Sequence, residues 1–151
     1  MKPLIDALYT LLIGRYIRIR EENYGSFLRK IGVVSLVRRN AILSSIESSG
    51  IIRELDTTEN GVWKLTTTTG SRIMKMEFRI GIPFFQMFAG NKYKTTVTLD
   101  RNTMKSDCTS TETGKKSFKI IRKFTGKGFE SHITCEDVVC TEYFERQWLI
   151  C

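Results

Sequence analysis

The stretch IGRYIRIREENYGSFLRKIGV (Ile13–Val33) contains two kinds of hydrophobic spacing in succession. Apolar and charged residues alternate along Tyr16–Arg20, which predicts a strand. Beyond it the apolar residues recur at helical spacing, at Tyr24, Phe27, Leu28 and Ile31. Gly32 interrupts this pattern, and the spacing then resumes at Val33, Val34, Val37 and Ala41. A strand followed by two short helices with a tight turn between them is therefore predicted.

From Ser45 onward, turn signals recur along the chain, mostly about 8–12 residues apart. They are ENG (59–61), TG (69–70), AGN (89–91), DRN (100–102), TG (113–114), TG (125–126) and ED (136–137). The segments between them are rich in Thr, Ile, Val, Phe and Tyr, which favours antiparallel strands in a meander. The sequence therefore predicts a β-sandwich or an up-and-down β-barrel. Closure of the sheet into a barrel would remove the exposed strand edges.

The composition is that of a globular protein, because 41% of the 151 residues are hydrophobic and 26% are charged. This length indicates one domain, residues 1–151. The formal net charge of +8 favours anionic partners, although a solvated basic surface is an equal alternative. No apolar run approaches the ~18 residues of a membrane span. The apolar spacing of residues 4–12 favours a helix or arm over a signal peptide, because Asp6 interrupts it and no small-residue cleavage site follows.

The four cysteines, Cys108, Cys135, Cys140 and Cys151, contain no C-x-x-C pair, so neither a metal site nor a cofactor is expected. Free thiols in a reducing cytosol are preferred over a disulfide scaffold. No nucleotide-binding or hydrolase motif occurs. His132 and Cys135 point to opposite faces of a strand and cannot act together. We therefore do not expect an enzyme.

Basic residues are concentrated in the helical stretch, at Arg29, Lys30, Arg38 and Arg39. No acidic residue lies between Glu22 and Glu47. Such a face is able to hold nucleic-acid phosphates or anionic lipid headgroups, or it is simply solvated. Its sequence does not discriminate among these three.

The order of a strand, two helices and a meander resembles the intracellular lipid-binding proteins, the fatty-acid-binding protein family. The Ile13–Val33 stretch looks like the opening of that family, with its aromatic strand start and its Asn-aromatic helix. Four later segments resemble family motifs in the same order: SLVRRNA (35–41), MEFRIGIPF (76–84), KYKTTVTLD (92–100) and VVCTEYFER (138–146). The resemblance extends from about Ile13 to Gln147.

The resemblance implies a mainly β fold, a ten-stranded antiparallel up-and-down barrel of the calycin or lipocalin-like type, with a two-helix lid. Residues 1–13 then form an N-terminal arm and 148–151 a C-terminal extension, which we expect to pack over the closed end. The implied function is binding and transport of a fatty acid or related hydrophobic ligand by a cytoplasmic monomer. Transient contact with anionic membranes through the basic lid is expected, and nucleic acid is not.

The implied carboxylate site is altered in this chain. The first family arginine corresponds to Arg122, but the Thr-Arg-x-Tyr motif of the last strand reads Thr141-Glu142-Tyr143-Phe144. The resemblance implies that Glu142, which alternates with Tyr143, faces the barrel interior, where it is able to pair with Arg122. Three outcomes remain open: a neutral lipid over an internal ion pair, a fatty acid bound through Arg122, or a cationic ligand at Glu142.

Other ligand positions are implied by the same resemblance. They are Tyr24, Phe27, Leu28, Val33 and Val37 on the helices, and Ile120, Ser131, Ile133 and Phe144 on the strands. Ordinary core packing is the alternative for each. A bulky portal aromatic of the family is replaced near Ser71, which leaves the entrance more open. The alternative function is a divergent barrel without fatty-acid carriage, acting as a neutral-lipid binder or interaction module.

Overall fold

The computed structural model describes residues 10–33, 39–40, 42 and 50–148. The elements whose bounds it describes in full are a helix, α1 (Tyr24–Lys30), and ten antiparallel strands. The strands are β1 (Gly14–Glu22), β2 (Ile52–Thr57), β3 (Val62–Thr69), β4 (Arg72–Arg79), β5 (Phe84–Phe88), β6 (Asn91–Asp100), β7 (Thr103–Ser110), β8 (Phe118–Thr125), β9 (Gly128–Cys135) and β10 (Val138–Gln147).

The sheet curves into a nearly closed barrel because β1 pairs with both β2 and β10, which joins the first strand to the last. The full order is β4-β3-β2-β1-β10-β9-β8-β7-β6-β5. Within the described chain no backbone ladder joins β4 to β5, so a gap lies between them. The stacked rings of Phe78 and Phe84, with centroids 5.5 Å apart, bridge this gap. The predicted ten-stranded barrel is confirmed.

Strand alternation determines which side chains enter the barrel. In β6, Tyr93, Thr95 and Val97 are buried, whereas Lys92 and Lys94 between them are exposed. In β10, Cys140, Glu142, Phe144 and Arg146 are buried as the alternation predicts. Since every second residue faces inward, charged residues at these positions belong to the interior.

A bulge in β1 changes that alternation. The register with β10 shifts between Arg18 and Arg20, which leaves Ile19 as the extra, exposed residue. Arg18, which precedes the bulge, shares the interior face of Tyr16, while the bulge turns the Arg20 guanidinium outside, 3.9 Å from the Tyr143 ring centroid. Bulges commonly redirect side chains in this way.

All seven predicted turn signals lie between consecutive strands. The turn that joins β4 to β5 carries no such polar signal and was not predicted. The first predicted lid helix corresponds to α1, which buries Tyr24, Phe27 and Leu28. Of the second, Arg39, Asn40 and Ile42 are described and are helical.

The arm residues nearest the barrel are held by two interior side chains. The Tyr16 hydroxyl donates to the Leu12 carbonyl at 2.6 Å, and Arg146 donates to the carbonyls of Ile13, at 2.9 Å, and Leu11. Leu12 is fully buried, so the packing expected for this end of the arm is present. At the other terminus Trp148 is 73% exposed and its ring lies 5.6 Å from the Arg146 guanidinium, so packing of the C-terminal extension over the closed end stays a prediction. Residues 1–9 and 149–151 lie outside the described residues.

Candidate ligand site in the barrel

A cavity of about 470 Å³ lies inside the barrel beneath α1. Its walls come from α1 and from strands on both sides of the gap, and most of the lining side chains are apolar. Six of the expected ligand residues line it: Tyr24, Phe27, Ile120, Arg122, Ile133 and Glu142. Its volume is within the range of about 300–1,000 Å³ that is typical of small-molecule sites.

Three expected ligand residues are buried without lining this cavity: Leu28, Val33 and Phe144. Phe144 stacks on Phe129, with ring centroids 4.5 Å apart, and packs in the barrel core. Leu28 and Val33 belong to the same hydrophobic cluster. Ser131 is fully buried between Arg122 and Glu142 in the ladder. Val37 lies outside the described residues.

Arg122 is a buried cation on β8. Its Nη1 donates to the Ser106 hydroxyl at 3.2 Å. Burial, reinforced by the positive charge of Arg53, lowers the pKa of Arg122 to about 10, whereas Glu142 acts in the opposite direction. No carboxylate of the described chain lies within ion-pair distance of Arg122. Its guanidinium is therefore able to accept an external anionic partner.

Glu142 has two other arginine partners. Its Oε2 lies 3.3 Å from Arg18 Nη1, and its Oε1 lies 4.0 Å from Arg53 Nη1. Among the described residues, the pairing of Glu142 with Arg122 that the sequence left open is therefore absent. The physical reason is strand adjacency: β1 is the direct ladder neighbour of β10, whereas β9 separates β10 from β8. Arg18 precedes the bulge in β1 and faces inward because it lies two residues after buried Tyr16.

Arg18 and Arg53 are interior charges that the sequence analysis missed. Arg53 lines the cavity, and its guanidinium lies 4.9 Å from the Phe144 ring centroid. The signal for both residues was the two-residue alternation with buried Tyr16 in β1 and buried Leu55 in β2. The interior groups Arg18, Arg53 and Arg122 thus outnumber the buried carboxylate of Glu142 by two positive charges.

The basic lid is only partly available as a surface. Arg29 is exposed, but Lys30 forms ion pairs with Asp137 at 2.8 Å and Glu136 at 3.4 Å. Arg39 donates to the Val33 carbonyl at 3.0 Å. Arg38 lies outside the described residues. Membrane contact through these four residues stays a prediction.

Several other features bear on chemistry. His132 points outward as predicted and lies 3.3 Å from Glu130. Cys108, Cys135 and Cys140 are free and buried. The part of the chain that the structure describes contains no cluster of metal-binding side chains. In that same part, none of the helices has the length and apolar character needed to cross a bilayer.

No protein-family model matches the sequence. Two curated relatives match at 25% identity. One is a fatty acid-binding protein of Tyrophagus putrescentiae, over 90% of this chain and 98% of that protein. The other is sodium/calcium exchanger regulatory protein 1 of Doryteuthis pealeii, over 89% of this chain and 96% of that protein.

The barrel is also similar to a solved structure, apo lipid binding protein 8 of Caenorhabditis elegans. The two structures align with a TM-score of 0.80 at 19% identity, over 91% of this chain and 96% of that one. This similarity extends the match to the three-dimensional arrangement of the whole barrel.

Proposed function

We propose that the chain is a divergent member of the fatty-acid-binding protein family, to which its sequence and fold are similar, and that it binds and carries a fatty acid or a related anionic hydrophobic ligand in the barrel cavity. One observation supports this proposal above the others. Arg122 presents a buried guanidinium, with no carboxylate of the described residues within ion-pair distance, to a cavity with mainly apolar walls. A buried cation of this kind is stabilised when an anion pairs with it.

The acyl chain supplies most of the binding free energy. Burial of each methylene contributes about 0.8 kcal/mol, and the walls offer the side chains of Phe27, Leu65, Met76 and Ile120. The carboxylate contributes orientation and selectivity through Arg122. The proposed role is therefore that of a binding protein and not of an enzyme, with no cofactor, acting inside the cell as a monomer.

In the altered carboxylate site, the positive charges are distributed differently from the family pattern. Glu142 takes the position of a family arginine, but Arg18 and Arg53 compensate its charge. Arg122 is left for the ligand, which favours a fatty acid bound through this one arginine. A neutral lipid would leave Arg122 without a counter-charge, and a cationic ligand would face an excess of positive charge.

Probe displacement with delipidated protein tests the proposal. We expect oleate to displace a fluorescent fatty-acid probe, and Arg122→Met to weaken oleate binding by about tenfold or more, because a charge-assisted hydrogen bond contributes about 1.5–3 kcal/mol. Lys123→Met is the matched control, since Lys123 is exposed on the same strand. Retinol, a neutral ligand of similar size, should lose little affinity in Arg122→Met. Absence of oleate binding to the unmodified protein would reject the proposal.

A second candidate is an interaction module, because the Doryteuthis pealeii relative, named as an exchanger regulatory protein, is as similar as the carrier. On this alternative the barrel acts through contact with another protein. Lipid extraction followed by mass spectrometry separates the two. Protein purified from its native cells carries a fatty acid if it is a carrier and no lipid if carriage has been lost.

A further inference from the structure

Exposed apolar side chains are concentrated at the gap between β4 and β5. Eight large hydrophobic residues are exposed in the described part of the chain, and five of them lie between residues 73 and 87. These five are each more than half exposed: Ile73, Met74, Ile82, Phe85 and Met87. Together with the nearby cations Arg72, Lys75, Lys92 and Lys94 they form what we call the gap surface.

The cavity reaches this surface. Five consecutive residues of β5, Phe84–Phe88, line it, and so do the four consecutive residues Met74–Glu77 of β4. Consecutive residues of a strand point to opposite faces. The cavity therefore extends around the free edges of both strands and opens through the gap, where Met74, Phe85 and Met87 border its mouth.

This region carries mainly positive charge. Five cations and a single acidic residue, Glu77, occur between positions 70 and 95. Glu77 is paired with Lys64 at 3.8 Å. Lys92 lies 4.6 Å from the Phe85 ring centroid, so cationic and apolar groups are interleaved. Basic and apolar side chains on one face are the combination that binds an anionic membrane interface.

We propose that the gap surface docks on an anionic lipid bilayer and brings the open gap against the membrane. The apolar side chains enter the headgroup boundary, and the lysine and arginine side chains contact lipid phosphates and carboxylates. Ligand then exchanges between bilayer and cavity through the gap. The exchange step rests on the proposed function, but the docking does not. A second copy of the chain fits less well, because two such surfaces would repel each other.

Vesicle flotation tests the docking. We expect the protein to float with vesicles of phosphatidylcholine and phosphatidylserine and to bind pure phosphatidylcholine vesicles far less. Each lysine near an anionic surface contributes roughly fivefold to partitioning, equivalent to about 1 kcal/mol. The double variant Lys92→Glu, Lys94→Glu should therefore lose about 25-fold or more. Ile73→Gln, Ile82→Gln should weaken binding as well, and none of these four residues lines the cavity.

Matched controls come from other faces of the barrel. Lys105→Glu, Lys123→Glu makes the same change of net charge at exposed positions of β7 and β8. Ile19→Gln removes an apolar side chain of similar exposure, 59%, from β1. Arg29→Glu tests the lid in parallel. Equal losses in the gap and control variants, or a loss confined to Arg29→Glu, would overturn the proposal. Dimerisation in solution that disappears in Ile73→Gln, Ile82→Gln would instead identify a second copy as the occupant.

Probe binding without vesicles separates this proposal from the proposed function. If the unmodified protein binds no fatty-acid probe but still floats with anionic vesicles, docking stands and carriage fails. If the gap variants retain probe affinity but transfer the probe to anionic vesicles at least tenfold more slowly, both stand. Transfer at the unmodified rate by these variants would reject the gap as the exchange route.

Discussion

Glu142→Gln removes a fully buried carboxylate from the cavity wall while keeping the size and shape of its side chain. Glu142 is fully buried, and the two arginines that it pairs with lie on β1 and β2. The substitution leaves Arg18 and Arg53 without their counter-charge. We expect the ligand-free protein to become less stable and its affinity for an anionic ligand to increase.

The magnitude follows from the two distances. At an effective dielectric constant of about 20, opposite charges 3.3 Å apart attract by about 5 kcal/mol and charges 4.0 Å apart by about 4 kcal/mol. Desolvation of the ions offsets much of this attraction, and removal of one partner of a buried pair costs about 3–5 kcal/mol. Arg18 and Arg53 keep 10% and 17% of their side-chain exposure, which favours the lower value. A loss of about 3 kcal/mol lowers the Tm by about 6–12 °C.

Ligand should restore part of the loss, because the oleate carboxylate replaces the missing negative charge. One additional charge-assisted hydrogen bond, to Arg53, makes oleate bind about tenfold more tightly. By linkage, a tenfold lower Kd adds about 1.4 kcal/mol of stability at saturating ligand.

Urea unfolding with and without oleate measures both effects. Glu145→Gln is the control, since Glu145 is exposed on the same strand and the substitution removes the same charge. It should change neither the free energy of unfolding nor the oleate affinity by more than about 0.5 kcal/mol. If Glu142→Gln is as stable as the unmodified protein, or binds oleate no better, then Glu142 does not hold the two arginines as described.

Three further results are expected. Arg146→Met should destabilise the protein by about 3 kcal/mol and speed proteolysis of the N-terminal arm, because charge-assisted hydrogen bonds to arm carbonyls are lost. Gly128→Ala should cost about 3 kcal/mol or more by urea unfolding, because a Cβ there would lie 2.0 Å from the Phe144 carbonyl oxygen at a φ of +154°. Burial is the main reason why the pKa of Tyr16 and that of Cys140 are each raised to about 12. Folding therefore favours the protonated forms of both side chains. Their contribution to stability is complete below about pH 9 and should decrease as the pH rises towards 12, which chemical unfolding across that range measures. The raised pKa values would be contradicted if the stability of the unmodified protein increased with pH over this interval while that of Cys140→Ala did not.

The fold could be predicted largely because its signals are local. Each strand carries its own alternation, and each of seven turns carries a polar or glycine signal between residues 59 and 137. The turn between β4 and β5 was missed because Ile80–Pro83 is mostly apolar. Its reversal depends on Gly81, whose φ is +78°. This turn lies at the gap, where no ladder helps to define the strands.

The face of each site residue could be predicted, but its partners could not. The family resemblance, together with alternation, implied an interior position for Arg122 and Glu142, and both are buried. The partner of Glu142, Arg18, is 124 residues away in the chain, and their contact depends on closure of the barrel, which pairs β1 with β10. Alternation also does not indicate how far along the barrel axis a side chain lies. Phe144 therefore faces inward as predicted but is buried in the core without lining the cavity.

Carbon-13 NMR of oleate labelled at its carboxyl carbon tests most directly whether Arg122 pairs with the ligand. In complex with the unmodified protein, we expect the carboxyl resonance to stay that of an ionised carboxylate well below the pKa of about 4.3 that a solvated side-chain carboxyl group has. In complex with Arg122→Met, the same carboxyl group should titrate at a higher pH, while Lys123→Met should behave like the unmodified protein. A bound carboxyl group that titrates identically in the unmodified protein and in Arg122→Met would contradict the central claim that Arg122 receives the ligand.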